Sequence, residues 1–193
     1  MRIKPNGKWM NFKAKQWFSL LDPSFIWYAN VSISPFLFLK ARDKYFKSKG
    51  NMLIKLLSLI PIVNESGKEI NQGVMVRYLA ESVWFPSFAL STYLKWEEMN
   101  NNKARVIFEY KNKKVEGVFK FNEKGYPISF LSKRYYVREK KSSLENWCVK
   151  IDKGSFKEFQ GIIIPTKAKV IWKLKDGDFF WLKLEIKDIK YIN

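Results

Sequence analysis

The sequence predicts a mainly β (α+β) protein, in which a large curved antiparallel sheet or unclosed β-barrel wraps around one central helix. Three observations indicate this fold: period-two alternation over most of the chain, turn signals between the alternating runs, and a single convincing long helical segment. We expect about nine to eleven strands. One helix cannot cover so wide an apolar face, so the sheet must close on itself or leave a cavity. The 193 residues fit a single domain, 1–193.

The alternating runs place apolar side chains on one face and mostly lysines or other polar side chains on the other, which is typical of half-buried antiparallel strands. Short polar segments separate several of them and predict hairpin turns, so neighbouring strands should form a meander. Near the C-terminus the alternation slips after Ile186, which predicts a β-bulge near Asp188. In chain order the main runs are FKAKQWF (12–18), FIWYANVSI (25–33), ARVIFEY (104–110), VEGVFKF (115–121) and KAKVIWKL (167–174), and the clearest turns are KNKK (111–114), NEKG (122–125) and DG (176–177).

The helical segment covers residues 68–85, with Ser66 and Glu69 as a predicted capping box and Pro86 as its end. It is apolar nearly all round, which is typical of a buried helix. The stretch QGVMVRYLAESVWFP (72–86) carries only two charges, Arg77 and Glu81. Because Arg precedes Glu in this i,i+4 pair, the weaker order for surface support, we expect the pair to have partners inside the protein.

Two polar residues on inward-facing strand positions are candidate partners. Gln16 shares a face with Phe12 and Phe18, and Asp43 shares a face with Leu37, Leu39, Ala41 and Tyr45. We therefore predict an interior cluster of Gln16, Asp43, Arg77 and Glu81, in which Arg77 bridges two carboxylates. Three interpretations are open: a structural ion network, a polar end-wall that contacts a ligand headgroup, and an acid/base pair of Asp43 and Glu81.

The aromatic content is high, with 8 Trp, 9 Tyr and 16 Phe. Such a set indicates either a ring-rich core or a cavity lined with rings. For the cavity, the predicted lining consists of residues that the alternation and the helix direct inward: Trp27, Tyr78, Trp84, Phe108, Phe119 and Trp172.

The chain has no histidine and one cysteine, Cys148. Histidine-activated nucleophiles, histidine metal sites and an internal disulfide are therefore excluded. We expect no metal, no cofactor and no enzymatic activity, although a histidine-free enzyme using Asp43 and Glu81 is the least favoured alternative.

The formal net charge is +18, from 36 Lys and Arg against 18 Asp and Glu. This excess favours polyanionic partners such as nucleic acid or an anionic membrane surface, although a lysine-rich composition also arises in AT-rich genomes. Nucleic-acid binding requires lysines on the same exposed face as rings such as Trp9, Trp17 or Trp181. Because alternation places most rings opposite the lysines, nucleic acid ranks below the membrane surface as a partner.

Several segments together resemble an uncharacterised bacterial family of unknown function. They are MRIKP…WMNFKAKQWF, FIWYANV, ARDKYF…GNM, QGVMVRYLAESVWFP and GIIIPTKAKVIWKL. The order of elements is also similar to lipoprotein carriers of the LolA/LolB type. That likeness implies an unclosed β-barrel with a helical lid and an apolar cavity for acyl chains.

The expected function is thus the binding of an apolar or lipid-like ligand in a half-barrel cavity, with a basic exterior that can dock on an anionic membrane. The alternative is a basic module for nucleic acid or another anionic surface. No apolar h-region follows Met1, and the most apolar run (52–63) is too short to span a bilayer. We expect a cytoplasmic or membrane-peripheral location, with room for an upstream segment, and make no prediction of oligomeric state.

Overall fold

The computed structural model describes residues 1–138 and 141–192, which form fourteen strands, one α-helix and two short 3₁₀ helices. The helix α1 spans Lys68–Glu81, and the 3₁₀ helices span Ser82–Trp84 and Pro86–Leu90. The strands are β1 (Phe12–Ser19), β2 (Ser24–Ser34), β3 (Leu37–Phe46), β4 (Lys49–Leu56), β5 (Ile60–Ser66), β6 (Leu94–Asn100), β7 (Lys103–Tyr110), β8 (Lys113–Phe121), β9 (Pro127–Arg138), β10 (Lys141–Ile151), β11 (Phe156–Phe159), β12 (Ile162–Pro165), β13 (Lys167–Leu174) and β14 (Gly177–Glu185).

The strands form two large antiparallel sheets, and neither closes into a barrel. The first is a five-stranded meander in the order β1-β2-β3-β4-β5, and the second has seven strands in the order β14-β13-β10-β9-β8-β7-β6. The hairpin β11-β12 is a separate two-stranded sheet inserted between β10 and β13. The predicted fold class is confirmed, with more strands than expected because short strands such as β11 and β12 are too brief to show alternation.

Helix α1 lies between the two sheets, in contact with β3, β4 and β5 of the first and with β8 and β9 of the second. Its apolar side chains are buried on all sides, as a helix enclosed by sheets requires. Tyr78 is at the centre with no exposed surface, and its hydroxyl donates to the backbone carbonyl of Ser19 at 2.8 Å. Rings from several elements surround it: Phe18, Tyr45, Phe85, Phe88 and Phe108.

The predicted turns are confirmed, since 111–112, 122–125 and 176 each join neighbouring strands. Lys111 and Asn112 both have positive φ, at 48° and 60°, the conformation of a two-residue hairpin that follows the strand twist. Lys47 and Ser48 form a second two-residue hairpin turn with positive φ, and Leu57 and Ser58 have positive φ in the three-residue turn 57–59. Neither turn contains the glycine or asparagine by which such turns are predicted from sequence.

The predicted capping box is wrong. The N-cap residue is Gly67, at φ 117°, and no side chain caps the helix. Ser66 ends β5, where its hydroxyl accepts a hydrogen bond from Asn51 at 3.0 Å, and Glu69 instead accepts one from the Ser142 hydroxyl. The α-helix also ends at Glu81, before the predicted residue 85, because the chain tightens into 3₁₀ turns around Trp84, whose indole donates to the Pro165 carbonyl at 3.1 Å.

The predicted bulge near Asp188 is also wrong, because β14 ends at Glu185 and the chain then leaves the sheet. The irregularity in this region lies earlier, where the pairing of β13 with β14 shifts between Val170 and Ile171. The segment after β14 packs Ile189 against the core, and the Tyr191 hydroxyl donates to the Trp84 carbonyl at 2.8 Å. Among the residues described, no helix has the length and apolarity needed to cross a membrane.

Candidate functional site

The inner face of the five-stranded sheet carries a row in which Gln16 of β1 pairs with Trp27 of β2, and Trp27 with Asp43 of β3. Period-two alternation places all three on the side that faces α1. Two strand spacings separate Gln16 from Asp43, about 10 Å between backbones. A side chain that contacts both must therefore reach over Trp27.

Arg77 of α1 is that side chain. Its Nη1 donates to Asp43 Oδ2 at 2.6 Å, its Nε to Glu81 Oε1 at 2.7 Å, and its Nη2 to Gln16 Oε1 at 3.1 Å. Gln16 Nε2 in turn donates to Glu81 Oε2 at 2.8 Å. The structure thus brings all four predicted residues together, with the guanidinium bridging two carboxylates.

The surroundings of Arg77 favour its charged form. The guanidinium carbon lies 5.0 Å from the Trp27 ring centroid and 4.9 Å from that of Phe25, within range for cation–π attraction. Burial opposes the charge, but Glu81 and Asp43 outweigh it and raise the pKa of Arg77 above its usual value. The side chains of Arg77, Asp43 and Glu81 are only 14%, 19% and 12% exposed. The cluster is therefore a closed ion network with its hydrogen bonds made internally.

Sequence reasoning missed a second interior cation, Arg134 of β9. Its guanidinium carbon lies 5.1 Å from the ring centroid of Trp147 and 5.8 Å from that of Trp172. Burial lowers the pKa of Arg134 to about 10, and the nearby charge of Arg77 acts in the same direction. Alternation in β9 could have found this residue, because it lies on the same face as buried Phe130 and Ser132.

Arg134 explains the glycine in the middle of α1. A Cβ on Gly73 would lie 3.0 Å from Arg134 Nε, so the absent side chain leaves the space that the guanidinium fills. A glycine inside a helix costs about 1 kcal/mol relative to alanine, which this packing offsets. Together Arg77, Arg134, Asp43 and Glu81 carry no net formal charge.

A pocket of about 60 Å³ lies between α1, β3, β4 and β9, and Asp43 and Arg134 are among the residues that line it. Ligand pockets usually measure about 300–1,000 Å³, so this one has room for a few water molecules. A larger open depression of about 470 Å³ lies at the β7–β8 hairpin, beside Tyr93 and Lys111. None of the six predicted cavity-lining residues borders either pocket.

Those six residues instead belong to the packed interior. Trp27 is partly covered beneath Arg77, and the other five are at most 8% exposed. Phe119 and Phe130, for example, contact each other with ring centroids 4.7 Å apart. In this structure the rings fill the space that an apolar ligand would need.

The outer face of the five-stranded sheet is the second candidate site, and we call it the basic face. Strand register aligns its side chains in three rows, about 7 Å apart. The row Lys13–Asn30–Lys40–Lys55 is followed by Lys15–Tyr28–Arg42–Leu53 and by Trp17–Ile26–Lys44–Asn51. These rows hold six cations and no carboxylate.

Exposed rings share the basic face with these cations. Trp17 is 54% exposed and Tyr28 is 47% exposed, and their rings meet edge to face at 6.3 Å. The alternation was expected to separate most rings from lysines, and in these strands it brings two rings and six cations onto one surface. Trp9, also named as an exposed ring, is 44% exposed and lies under Arg2 and Lys183, whereas Trp181 is only partly exposed.

The outer face of the seven-stranded sheet differs from the basic face, although it too carries many lysines. Its carboxylates pair with its cations: Arg105 binds Glu97 at 3.2 Å and Glu116 at 2.6 Å, and Lys173 binds Asp178 at 2.6 Å. Within residues 1–138 and 141–192, no cation of the basic face takes part in a salt bridge. The same ranges contain no group of three or more cysteine or carboxylate side chains placed to hold a metal ion.

Removing Arg77 should destabilise the fold far more than removing Arg134. Arg77→Met leaves two enclosed carboxylates without their cation, and we expect the free energy of unfolding to fall by about 3–5 kcal/mol. Arg134→Met is the matched control, because no carboxylate of the described chain forms a salt bridge with Arg134; we expect a change within about 1–2 kcal/mol. Urea denaturation measures both, and equal losses would contradict the network.

Neutralising Asp43 should also destabilise the protein. Asp43→Asn keeps the side-chain shape but removes the charge that Arg77 Nη1 contacts, so we expect a loss of about 1–3 kcal/mol. Asp176→Asn is the control, since Asp176 binds Arg138 through side chains that are 79% and 65% exposed. It should change stability by less than about 0.5 kcal/mol in the same urea titration. An Asp43→Asn protein as stable as this control would exclude a structural role for the cluster.

Comparison with known proteins supports the first of the two resemblances noted in the sequence. No curated protein and no solved structure matches the chain, so a likeness to LolA/LolB-type carriers is not shown. The family of unknown function DUF6920 matches residues 1–191, nearly the whole chain. The chain therefore belongs to the DUF6920 family.

Proposed function

We propose that this protein is a non-enzymatic binding module that holds a polyanionic surface against the basic face. The observation that carries the proposal is the composition of that face: six cations, two exposed rings and no carboxylate. The proposal develops the alternative expected from the net charge of +18. It places the binding charges on one sheet of the molecule.

Electrostatics supports the basic face over the rest of the surface. Lys40 and Lys55 lie on neighbouring strands, about 5 Å apart across their row. Lys13 lies two strands from Lys40, about 10 Å away, and the pair repels at low salt. An anionic partner relieves that repulsion, whereas on the seven-stranded sheet carboxylates already relieve part of it. Each Lys or Arg near an anionic surface contributes about 1 kcal/mol, so six can support binding without a pocket.

The interior cluster fits a supporting role in this function. Each of the three side-chain nitrogens of Arg77 donates a hydrogen bond within the cluster, which leaves little for a ligand or substrate to contact. Catalysis by Asp43 and Glu81 would require an open cleft that reaches both carboxylates. Their low exposure, 19% and 12%, favours the structural interpretation.

Placement of charge can be separated from total charge by two variants. The basic-face variant carries Lys13→Gln, Lys15→Gln, Lys40→Gln and Lys44→Gln. The control carries Lys120→Gln, Lys133→Gln, Lys150→Gln and Lys169→Gln on the outer face of the seven-stranded sheet. We expect the first to weaken heparin binding about 100- to 1,000-fold in calorimetric titration at low salt, since about 1 kcal/mol is lost per charge.

The control variant has the same net charge and should lose about tenfold or less. Equal losses in the two variants would mean that heparin responds to total charge alone. The basic face would then not be a binding site.

An apolar ligand held in the interior, as in a LolA/LolB-like carrier, is a separate proposal with its own test. The richness in aromatic rings supports it, but the packed rings would have to separate to admit an acyl chain. It predicts that native mass spectrometry of protein purified without detergent shows a lipid or fatty-acid adduct that solvent extraction releases. A mass equal to that of the bare chain, unchanged by added lipid, would contradict it.

A further inference from the structure

Two hairpins of the five-stranded sheet end side by side at one edge of the basic face. The β2–β3 turn lies at residues 35–36 and the β4–β5 turn at residues 57–59. The backbone N–H of Leu57 donates to the Phe38 carbonyl at 3.1 Å, which holds the two hairpin ends together. A partner surface that contacts one hairpin end can therefore contact the other as well.

Both hairpin ends expose large apolar side chains. Phe36 is 91% exposed and Leu59 is 77% exposed, values close to those of free side chains. Scattered single residues of this kind are normal on a surface, but a contiguous group indicates an interaction site. The group, which we call the apolar tips, consists of Ile33, Phe36, Leu57, Leu59, Ile60 and Ile62, exposed by 38% to 91%.

The apolar tips adjoin the cations of the basic face. Its nearest row contains Lys13, Lys40 and Lys55. Lys55 precedes Leu57 by two residues, about 7 Å along a strand, and Lys40 follows Phe36 by four, about 13 Å. Residues 24–42 and 44–64 contain no Asp or Glu. The edge of the molecule therefore presents apolar side chains first and unopposed positive charge directly behind them.

We propose that this edge docks on an anionic lipid bilayer, with the apolar tips inserted at the level where headgroups meet acyl chains. Lys13, Lys40 and Lys55 then lie at the depth of the headgroup phosphates. Segments that bind in the membrane interface bury apolar side chains about 5–10 Å deep and gain further affinity from cations above them. This inference rests on the proposed function and names the polyanion that the basic face would bind.

The chemistry of the tips favours lipid over nucleic acid. Five of the six side chains are aliphatic and offer neither a ring for a base to stack on nor a hydrogen-bond donor for phosphate. The adjacent cations are lysines, which act as point charges and lack the planar fork with which arginine recognises phosphates and bases. A second copy of the chain fits poorly as well, because pairing two of these edges would bring like charges together.

Vesicle binding tests this inference. The tip variant carries Phe36→Ser and Leu59→Ser, and the control carries Leu21→Ser and Leu90→Ser, which are 92% and 91% exposed away from the tips. We expect the wild type to float with vesicles of phosphatidylcholine mixed with phosphatidylserine and not with phosphatidylcholine alone. The tip variant should partition at least about tenfold more weakly, because two apolar side chains lose their burial, and the control should match the wild type.

An introduced thiol gives a direct readout of insertion. Cys148 is only 7% exposed, so a maleimide dye should react selectively with the new cysteine of a Phe36→Cys protein. We expect the emission of an environment-sensitive dye at this position to shift to the blue on phosphatidylserine vesicles. The same dye on a Leu21→Cys protein should not shift, because Leu21 lies in the β1–β2 turn at the opposite end of the sheet.

Heparin titration of the same proteins separates this inference from the proposed function. Heparin binding that is equal in the wild type and the tip variant, with vesicle binding lost only in the latter, supports insertion. Four results would overturn insertion without affecting the proposed heparin binding. Vesicle binding could be unchanged by the tip substitutions, or the dye emission could stay unshifted on vesicles. The protein could bind an oligonucleotide instead of vesicles, or form a dimer that the tip substitutions dissociate. Loss of site-dependent heparin binding would overturn the proposed function itself.

Discussion

The contact between the Arg77 guanidinium and the carboxylates of Asp43 and Glu81 is the constraint around which the protein is organised. A charge cannot be enclosed between a helix and a sheet unless opposite charges meet it there. The partners lie on β3 and on the next turn of α1, with Gln16 of β1 closing the network. These directional bonds add to the hydrophobic packing of α1, because a rotation or shift of the helix would separate Arg77 from its partners on the sheet.

The two faces of the five-stranded sheet differ in whether their charged side chains have partners of opposite charge. On the inner face Asp43 is largely enclosed and contacts the Arg77 guanidinium of α1 at 2.6 Å. On the outer face six cations are held in register without a carboxylate, and the hairpin ends beside them carry exposed apolar residues. One sheet thus carries an enclosed ion network on the side of α1 and aligned cations without salt-bridge partners on the other side.

Periodicity and turn signals predicted the fold class. Alternation also assigned Gln16 and Asp43 to the inward face, where a buried Arg77 and Glu81 need polar partners. It could not predict which atoms bond, since that depends on how α1 lies on the sheet. The Ser66 cap failed because a local motif competes with strand pairing, here with Asn51. The apolar tips were overlooked because exposure at a hairpin end depends on what packs beside it, which sequence does not report.

The interior cluster also has a place in the order in which the chain is made. Its four residues lie between positions 16 and 81, and the five-stranded sheet is built only from neighbouring hairpins. A chain that emerges from the ribosome N-terminus first can therefore pair every charge of this network before β6 exists. The seven-stranded sheet, which joins β10 to the distant β13, would then fold onto a helix that is already anchored.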